Sequence, residues 1–214
     1  LRVLRLQNGD DMYLMDGRGN FYHAEVSLAT HKKCLYTIKE NLPQQKTWRG
    51  HIHLAIAPTK NIDRMEWLAE KATEIGFDEL SFLYCAFSER KVLRADRIEK
   101  IVVSAAKQSR KPWMPQVNAL ESFKDFITRP REGRKFIAHC YEEIEKKDFF
   151  NEIMSDKKNE QITVLVGPEG DFSIDEVRLA MAQGYESISL GESRLRTETA
   201  GLMAVTMAQI SLRL

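Results

Sequence analysis

Apolar and polar positions alternate in Met12-Tyr13-Leu14-Met15 and again in Phe21-Tyr22-His23-Ala24-Glu25-Val26, with Asp16-Gly17-Arg18-Gly19-Asn20 between them. A period of two broken by a glycine-rich turn predicts a β-hairpin. A further strand is expected from Lys33 to Ile38. The polar, proline-containing stretch Asn41–Lys46 is the expected linker. After about residue 50 the pattern changes. His51–Ala57 reads as a buried strand. Ile62, Met65, Leu68, Ala69, Ala72 and Ile75 recur at helical spacing, and Gly76 stops that helix. Strands are expected at Leu80–Cys85, Phe136–Cys140, Ile162–Val166 and Ile188–Leu190. Helices are expected over Asp96–Ser109, from the capping box Ser173-Ile174-Asp175-Glu176 to Gly184, and from Glu198 to Leu212. Strands alternating with helices predict an α/β fold with a mostly parallel sheet covered on both faces.

With 43% hydrophobic and 29% charged residues over 214 positions, the chain falls in the globular class and is neither disordered nor a membrane bundle. No apolar run approaches the roughly 20 residues of a spanning helix, no signal peptide is visible, and a cytoplasmic location is expected. The chain opens on Leu1 rather than Met, and residues are expected upstream. Cys34, Cys85 and Cys140 lie far apart without a CxxC or Cys/His cluster, so reduced, buried thiols and no metal centre are expected. The net charge of +1 hides a basic block. Residues 88–135 carry 13 Lys and Arg against 6 Asp and Glu, enough to offer one face to a polyanion.

In a parallel sheet, ligands sit beyond the carboxyl ends of the strands. After Val166 comes Gly167-Pro168-Glu169-Gly170. After Leu190 comes Gly191, and Leu195-Arg196-Thr197-Glu198-Thr199-Ala200 opens the last helix. These are three turns rich in free backbone amides. Neither a dinucleotide fingerprint, a P-loop nor a serine elbow is present. His51 and His53 alternate in a strand and read as structural.

Leu165-Val166-Gly167-Pro168-Glu169-Gly170, Ser189-Leu190-Gly191 and Leu195–Ala200 closely resemble the three cofactor-loop motifs of the RsmE family, SPOUT-class methyltransferases that modify N3 of a uridine in 16S ribosomal RNA. Lys60, Glu70–Gly76, Ser88-Glu89-Arg90 and Ala105–Arg110 resemble the family's other blocks, and Val3–Asp10 resembles the start of its PUA-like domain. One departure stands out. The family's first Arg in the last motif is Ser193 here, followed by Arg194.

The resemblance implies a SPOUT-type parallel sheet with a C-terminal trefoil knot over residues 49–214, and a small PUA-like β-barrel over residues 1–48. It also implies a homodimer, in which the apolar last helix serves as interface as well as core. The implied cofactor is S-adenosylmethionine, held by Leu165, Val166, Gly167, Pro168, Glu169, Gly170, Leu190, Gly191, Leu195, Arg196, Thr197, Thr199 and Ala200. Leu165, Leu190 and Leu195 would flank the adenine. Arg196 would stabilise negative charge on the base. Glu198 would accept its proton or cap the last helix, and Glu169 would face the sulfonium or brace its turn. RNA of the small ribosomal subunit would be gripped by Arg2, Arg5, Arg90, Lys91, Arg94 and Arg110. A non-catalytic assembly factor on this fold, and a methyltransferase for another RNA position, are the competing readings.

Overall fold

The computed structural model describes residues 6–156 and 160–213. The hairpin forms where the alternation predicts it. Strand β1 (Asp11–Met15) pairs antiparallel with β2 (Asn20–Ala29), which pairs antiparallel with β3 (Cys34–Pro43). Asp16 closes the turn: its carboxylate accepts from the backbone N–H groups of Arg18 and Asn20 and from the Asn20 amide. The Asn20 bond and these backbone bonds hold the Asp16 carboxyl down at about 2. The described residues thus make an open three-stranded sheet. Strand β3 runs five residues past the expected Ile38 and takes in Asn41–Pro43, the first half of the expected linker. The register explains this: Tyr22 pairs with Asn41, and Asn20 with Pro43, across the whole of β2.

The rest is a seven-stranded sheet in which every pairing is parallel. It contains β4 (His51–Ile56), β5 (Glu79–Tyr84), β6 (Gln116–Ser122), β7 (Arg134–Ala138), β8 (Lys147–Asp148), β9 (Gln161–Val166) and β10 (Glu186–Ser189), in the order β6-β5-β4-β9-β7-β10-β8. Helices α1 (Ile62–Ile75), α2 (Ala95–Gln108), α3 (Phe123–Thr128), α4 (Phe149–Ser155), α5 (Ile174–Ala182) and α6 (Thr197–Arg213) connect and cover it.

The central strands are apolar on both faces, as burial on both sides requires. Ile52, Leu54, Ile56, Phe136, Val164, Val166 and Ile188 pack with Met65, Leu68, Ile98, Phe149 and Val205 in one core. The alternate residues Ala55, Ile137 and Leu165 face Phe123, Phe126, Phe172, Val177 and Ala180 in a second core. The capping box at Ser173 is present in full. Gly76 ends α1 at φ 116°, with the Trp48 ring where a side chain would stand.

Two structures join the N-terminal sheet to this body. Asp78 accepts from Trp48 Nε1 (3.0 Å) and Ile52 N (2.8 Å) and pairs with Lys46, fixing the end of the connecting segment. The segment after α2 reaches back: Gly19 N donates to Pro112 O (2.9 Å), Met114 N donates to Gly17 O (2.9 Å), and Trp113 lies against Gly19.

The cysteines divide. Cys85 is buried, and burial pushes its thiol up; Cys34 is half-buried. Cys140, expected in a buried strand, is exposed, because β7 ends at Ala138 and Cys140 falls in the loop beyond it. His53 is 2% exposed and its Nε2 shares a 2.8 Å hydrogen bond with Ser81 Oγ, a structural placement. Burial, reinforced by Arg131, His51 and Arg129, lowers it to about 2, although Glu79 Oε2 lies 3.4 Å from Nδ1. Among the described residues no helix is long and apolar enough to cross a membrane, and no group of three or more His, Cys, Asp or Glu is placed to hold a metal ion.

Candidate active site

Strands β7, β9 and β10 lie side by side, β7 in the middle, and the segments leaving their carboxyl ends enclose a cavity of about 390 Å³. That is the size of a small-molecule site. Its wall takes Val166, Gly167, Pro168 and Glu169 from β9 and its loop, and Ser189, Leu190 and Gly191 from β10. Leu195, Arg196, Thr197 and Ala200 come from the start of α6. The three motifs separated in sequence therefore meet in space.

Each loop is built to expose backbone. At the end of β9, Asp171 N donates to Pro168 O (2.9 Å), a tight turn that ends with Asp171 at φ 67°. Gly167 cannot carry a side chain: a Cβ there would lie 2.9 Å from Phe172 N. Gly191 sits at φ 115°, and a Cβ there would meet no atom within 4 Å. The glycine is thus needed for its conformation, and the space above it is open. Ser189 Oγ donates to Gly191 O (2.8 Å) and fixes that bend.

Three expected binding residues, and Glu198, the expected proton acceptor, do not line the cavity. Leu165 is fully buried and, by strand alternation, its side chain points into the second core, so it is not available to flank a ring. Gly170 faces Phe87 across the turn. Thr199 and Glu198 lie in the first turn of α6 behind the wall, and Glu198 is 9% exposed. Glu169 is on the wall, and its Oε1 accepts from Lys60 N (3.0 Å), which ties the β9 loop to the loop after β4. Both Ser193 and Arg194, the departure from the family pattern, border the cavity.

The wall also takes six residues the sequence did not point to: the apolar Ala138 and Ile188, and Arg64, His139, Cys140 and Asp171. Asp171 Oδ2 accepts from Cys140 N (2.8 Å), clamping the β9 loop to the end of β7. His139 Nδ1 accepts from Tyr141 N (3.2 Å), so Nε2 carries the proton and donates to Ser187 Oγ (2.5 Å). Burial lowers the His139 pKa, in keeping with this neutral, fully bonded ring. Burial first, then the Asp171 charge, raises the Cys140 thiol. For His139, Cys140 and Asp171 the signal lay in the strand-end position of the first two and in an aspartate following Gly-Pro-Glu-Gly; Arg64 carried none.

The cations expected to hold RNA divide similarly. Arg2 and Arg5 lie outside the described residues. The Arg90 guanidinium donates to the carbonyl oxygens of Thr59 (3.0 Å) and Lys60, so it braces the loop after β4. Arg94 pairs with Asp96 at 2.8 Å. Lys91 is exposed and, with Lys60 and Val92, borders a second, shallow concavity. Arg110 is exposed at φ 53°, just past α2.

The model of an RNA methyltransferase domain matches residues 46–209, and that of an RNA methyltransferase PUA domain matches residues 1–39. The ribosomal RNA small subunit methyltransferase E of Synechocystis is 30% identical, over 98% of this chain and 68% of the relative. That of Rickettsia conorii is 27% identical, over 97% and 84%. A crystal structure from Porphyromonas gingivalis, described as a probable rRNA-methyltransferase, superimposes with a TM-score of 0.89 at 40% identity, covering 99% of this chain and 88% of that one. The Neisseria gonorrhoeae ribosomal RNA small subunit methyltransferase E, bound to S-adenosyl methionine, gives 0.82 at 26% identity, covering 98% and 86%. With domain models along most of its length and relatives of one name matched over nearly all of this chain, the chain belongs to the ribosomal RNA small subunit methyltransferase E family.

Proposed function

We propose that the chain is an S-adenosylmethionine-dependent methyltransferase acting on N3 of a uridine in 16S ribosomal RNA of the assembled small subunit. The observation that carries this is the convergence of the Gly167–Glu169, Ser189–Gly191 and Leu195–Ala200 segments on one cavity. Relatives bearing the family name, one of them solved with S-adenosyl methionine, support it. The wall fits the cofactor: open space above Gly191 admits a flat ring, Val166 and Leu190 offer apolar contact, and bent loops offer amides. When bound, S-adenosylmethionine supplies a methyl group made electrophilic by its sulfonium.

The chain must then place the acceptor nitrogen in line with that group, which alone can supply much of the rate. Uridine N3 carries a proton and is a weak nucleophile at neutral pH. A cation that stabilises the uridinate meets this need. Arg196, exposed on the cavity wall, is the first such group, with Arg194 beside it. Glu198, set back from the wall, reaches a base only through water or a neighbour. Lys91 and Arg110, with Arg2 and Arg5, would hold phosphates and position the RNA without reading its sequence.

The same reading divides the chain into a PUA-like unit, residues 1–48, and a methyltransferase domain, residues 49–214. It places a trefoil knot around the three loops and a homodimer with α6 at its interface. It also assigns the protein to the cytoplasm, where ribosomes are its partner.

The test is methyl transfer from labelled S-adenosylmethionine to small subunits taken from a strain that lacks the protein, followed by nucleoside analysis. Label in 3-methyluridine is expected. Label in any other nucleoside rejects the assignment. A folded protein that binds no S-adenosylmethionine favours the assembly factor.

A further inference from the structure

Arg64 stands in the first turn of α1, where the helix dipole disfavours a cation and an acid such as Asp63 is the usual occupant. A residue that breaks a local rule is best explained by what it does elsewhere. Arg64 lines the cavity beside the start of α6, although α1 belongs to none of the three loops. Its Nε lies 3.7 Å from Glu198 Oε1; the two side chains are 36% and 11% exposed. Glu198 Oε2 is buried and has no hydrogen-bond partner among the described residues. Among those residues the Arg64 guanidinium makes no hydrogen bond either, so its N–H groups are left to bond a ligand in the cavity that Arg64 lines.

A buried carboxylate with one unbonded oxygen is costly unless a cation completes it. Arg64 is the cation at hand, and Glu198 stands behind it as seen from the cavity. We infer that Arg64 is an oxyanion-binding residue of this site, with Glu198 as the positioning residue that holds its guanidinium toward the ligand. The oxyanion is either the carboxylate of the cofactor's amino-acid arm or an oxygen of the uracil ring as N3 loses its proton. A planar guanidinium suits both. This rests on the proposed function and gives Glu198 a different task from taking the proton itself.

The experiment uses the full chain and three readouts: calorimetry with S-adenosylhomocysteine, calorimetry with 5′-methylthioadenosine, which has no amino-acid arm, and methyl transfer to small subunits across pH. Wild-type protein that neither binds nor transfers would sink the proposed function, whatever Arg64 does. With an active wild type, Arg64→Gln should show one of two patterns. A tenfold or greater loss of S-adenosylhomocysteine affinity with unchanged methylthioadenosine affinity identifies the carboxylate. Unchanged affinity for both, with kcat reduced tenfold or more and its rise with pH displaced upward, identifies the base oxygen. Arg64→Lys should recover part of either loss. Glu198→Gln should mimic Arg64→Gln, and the double variant should be no worse than the single ones. The inference is overturned if folded Arg64→Gln keeps both affinity and kcat within twofold. It is equally overturned if both ligands are lost together, or if the Glu198 and Arg64 losses simply multiply.

Discussion

Asp171 holds one corner of the cavity, and removing its carboxylate should be felt in both stability and binding. Its Oδ2 accepts from Cys140 N and its Oδ1 from Phe172 N, each at 2.8 Å. A hydrogen bond to a charged acceptor contributes about 1.5–3 kcal/mol net; Cys140 is exposed, so about 1.5 kcal/mol suits the first bond. The second, made to the next residue in the chain, is a local Asx contact worth about 1 kcal/mol. Asp171 also sits at φ 67°, which Asp and Gly tolerate and Ala does not, a further cost of about 1 kcal/mol. Asp171→Ala should therefore lose about 3.5 kcal/mol and Asp171→Gly about 2.5 kcal/mol, with the smallest loss in Asp171→Asn, which keeps an acceptor. Urea unfolding followed by fluorescence reads this directly. With a slope of about 2 kcal/mol per M, the alanine variant's midpoint should fall by about 1.8 M. Calorimetry should show weaker S-adenosylmethionine binding in the same order. The reasoning fails if the alanine variant matches wild type, or if glycine proves less stable than alanine.

Arg196→Ala should lower kcat by about a hundredfold or more, the usual effect of losing one charge-stabilising donor, while the exposed position leaves the urea midpoint unchanged; activity within threefold of wild type would remove Arg196 from the chemistry. Gly201→Ala should destabilise the fold by about 1–2 kcal/mol, because a Cβ would lie 2.9 Å from Ile56 Cδ1 and 3.2 Å from Leu68 Cδ2, which outweighs the better helix propensity; a rise in melting temperature would contradict that packing. His53 is lowered to about 2 in the fold against about 6.5 when unfolded, so the unfolded chain binds the extra proton between these values. Its stabilisation is complete above pH 6.5 and is lost as pH falls below it, at up to about 1.4 kcal/mol per unit. His53→Gln should flatten the stability profile between pH 6.5 and 5, leaving the smaller part that the lowered His139 contributes; an unchanged slope would refute it.

Elements with strong periodicity were legible in the sequence, and those set by neighbours were not. The apolar face of α1 and the Ser173 capping box mark their helices within a residue or two, because local chemistry alone decides them. β6 was missed: Gln116–Ser122 lies at the sheet edge, takes its place from pairing with β5, and shows neither alternation nor an apolar run. Two-residue β8 and the six- and seven-residue helices α3 and α4 are too short to carry a period of their own. At the site, the backbone loops were legible as glycine-rich strand ends. Which side chains face the cavity was not, since Val166 and Leu165 are equally apolar and only the pleat tells them apart. Arg64 was invisible for another reason: its partner Glu198 is 134 positions away in the chain.

The Trp113 clip has a mechanical consequence. A module tethered by one strap can swivel; pinned at a second point, it becomes a jaw of fixed gape. The strap here is the Trp48–Asp78 anchorage, and the second pin is the backbone stitching of Gly17 and Gly19 to Pro112 and Met114. The stitch grows from the very stretch that carries Arg110 and Lys111, which ties the cations there to the small sheet. On the proposed function, such a caliper would gauge the contour of a folded nucleic acid rather than spell out its letters.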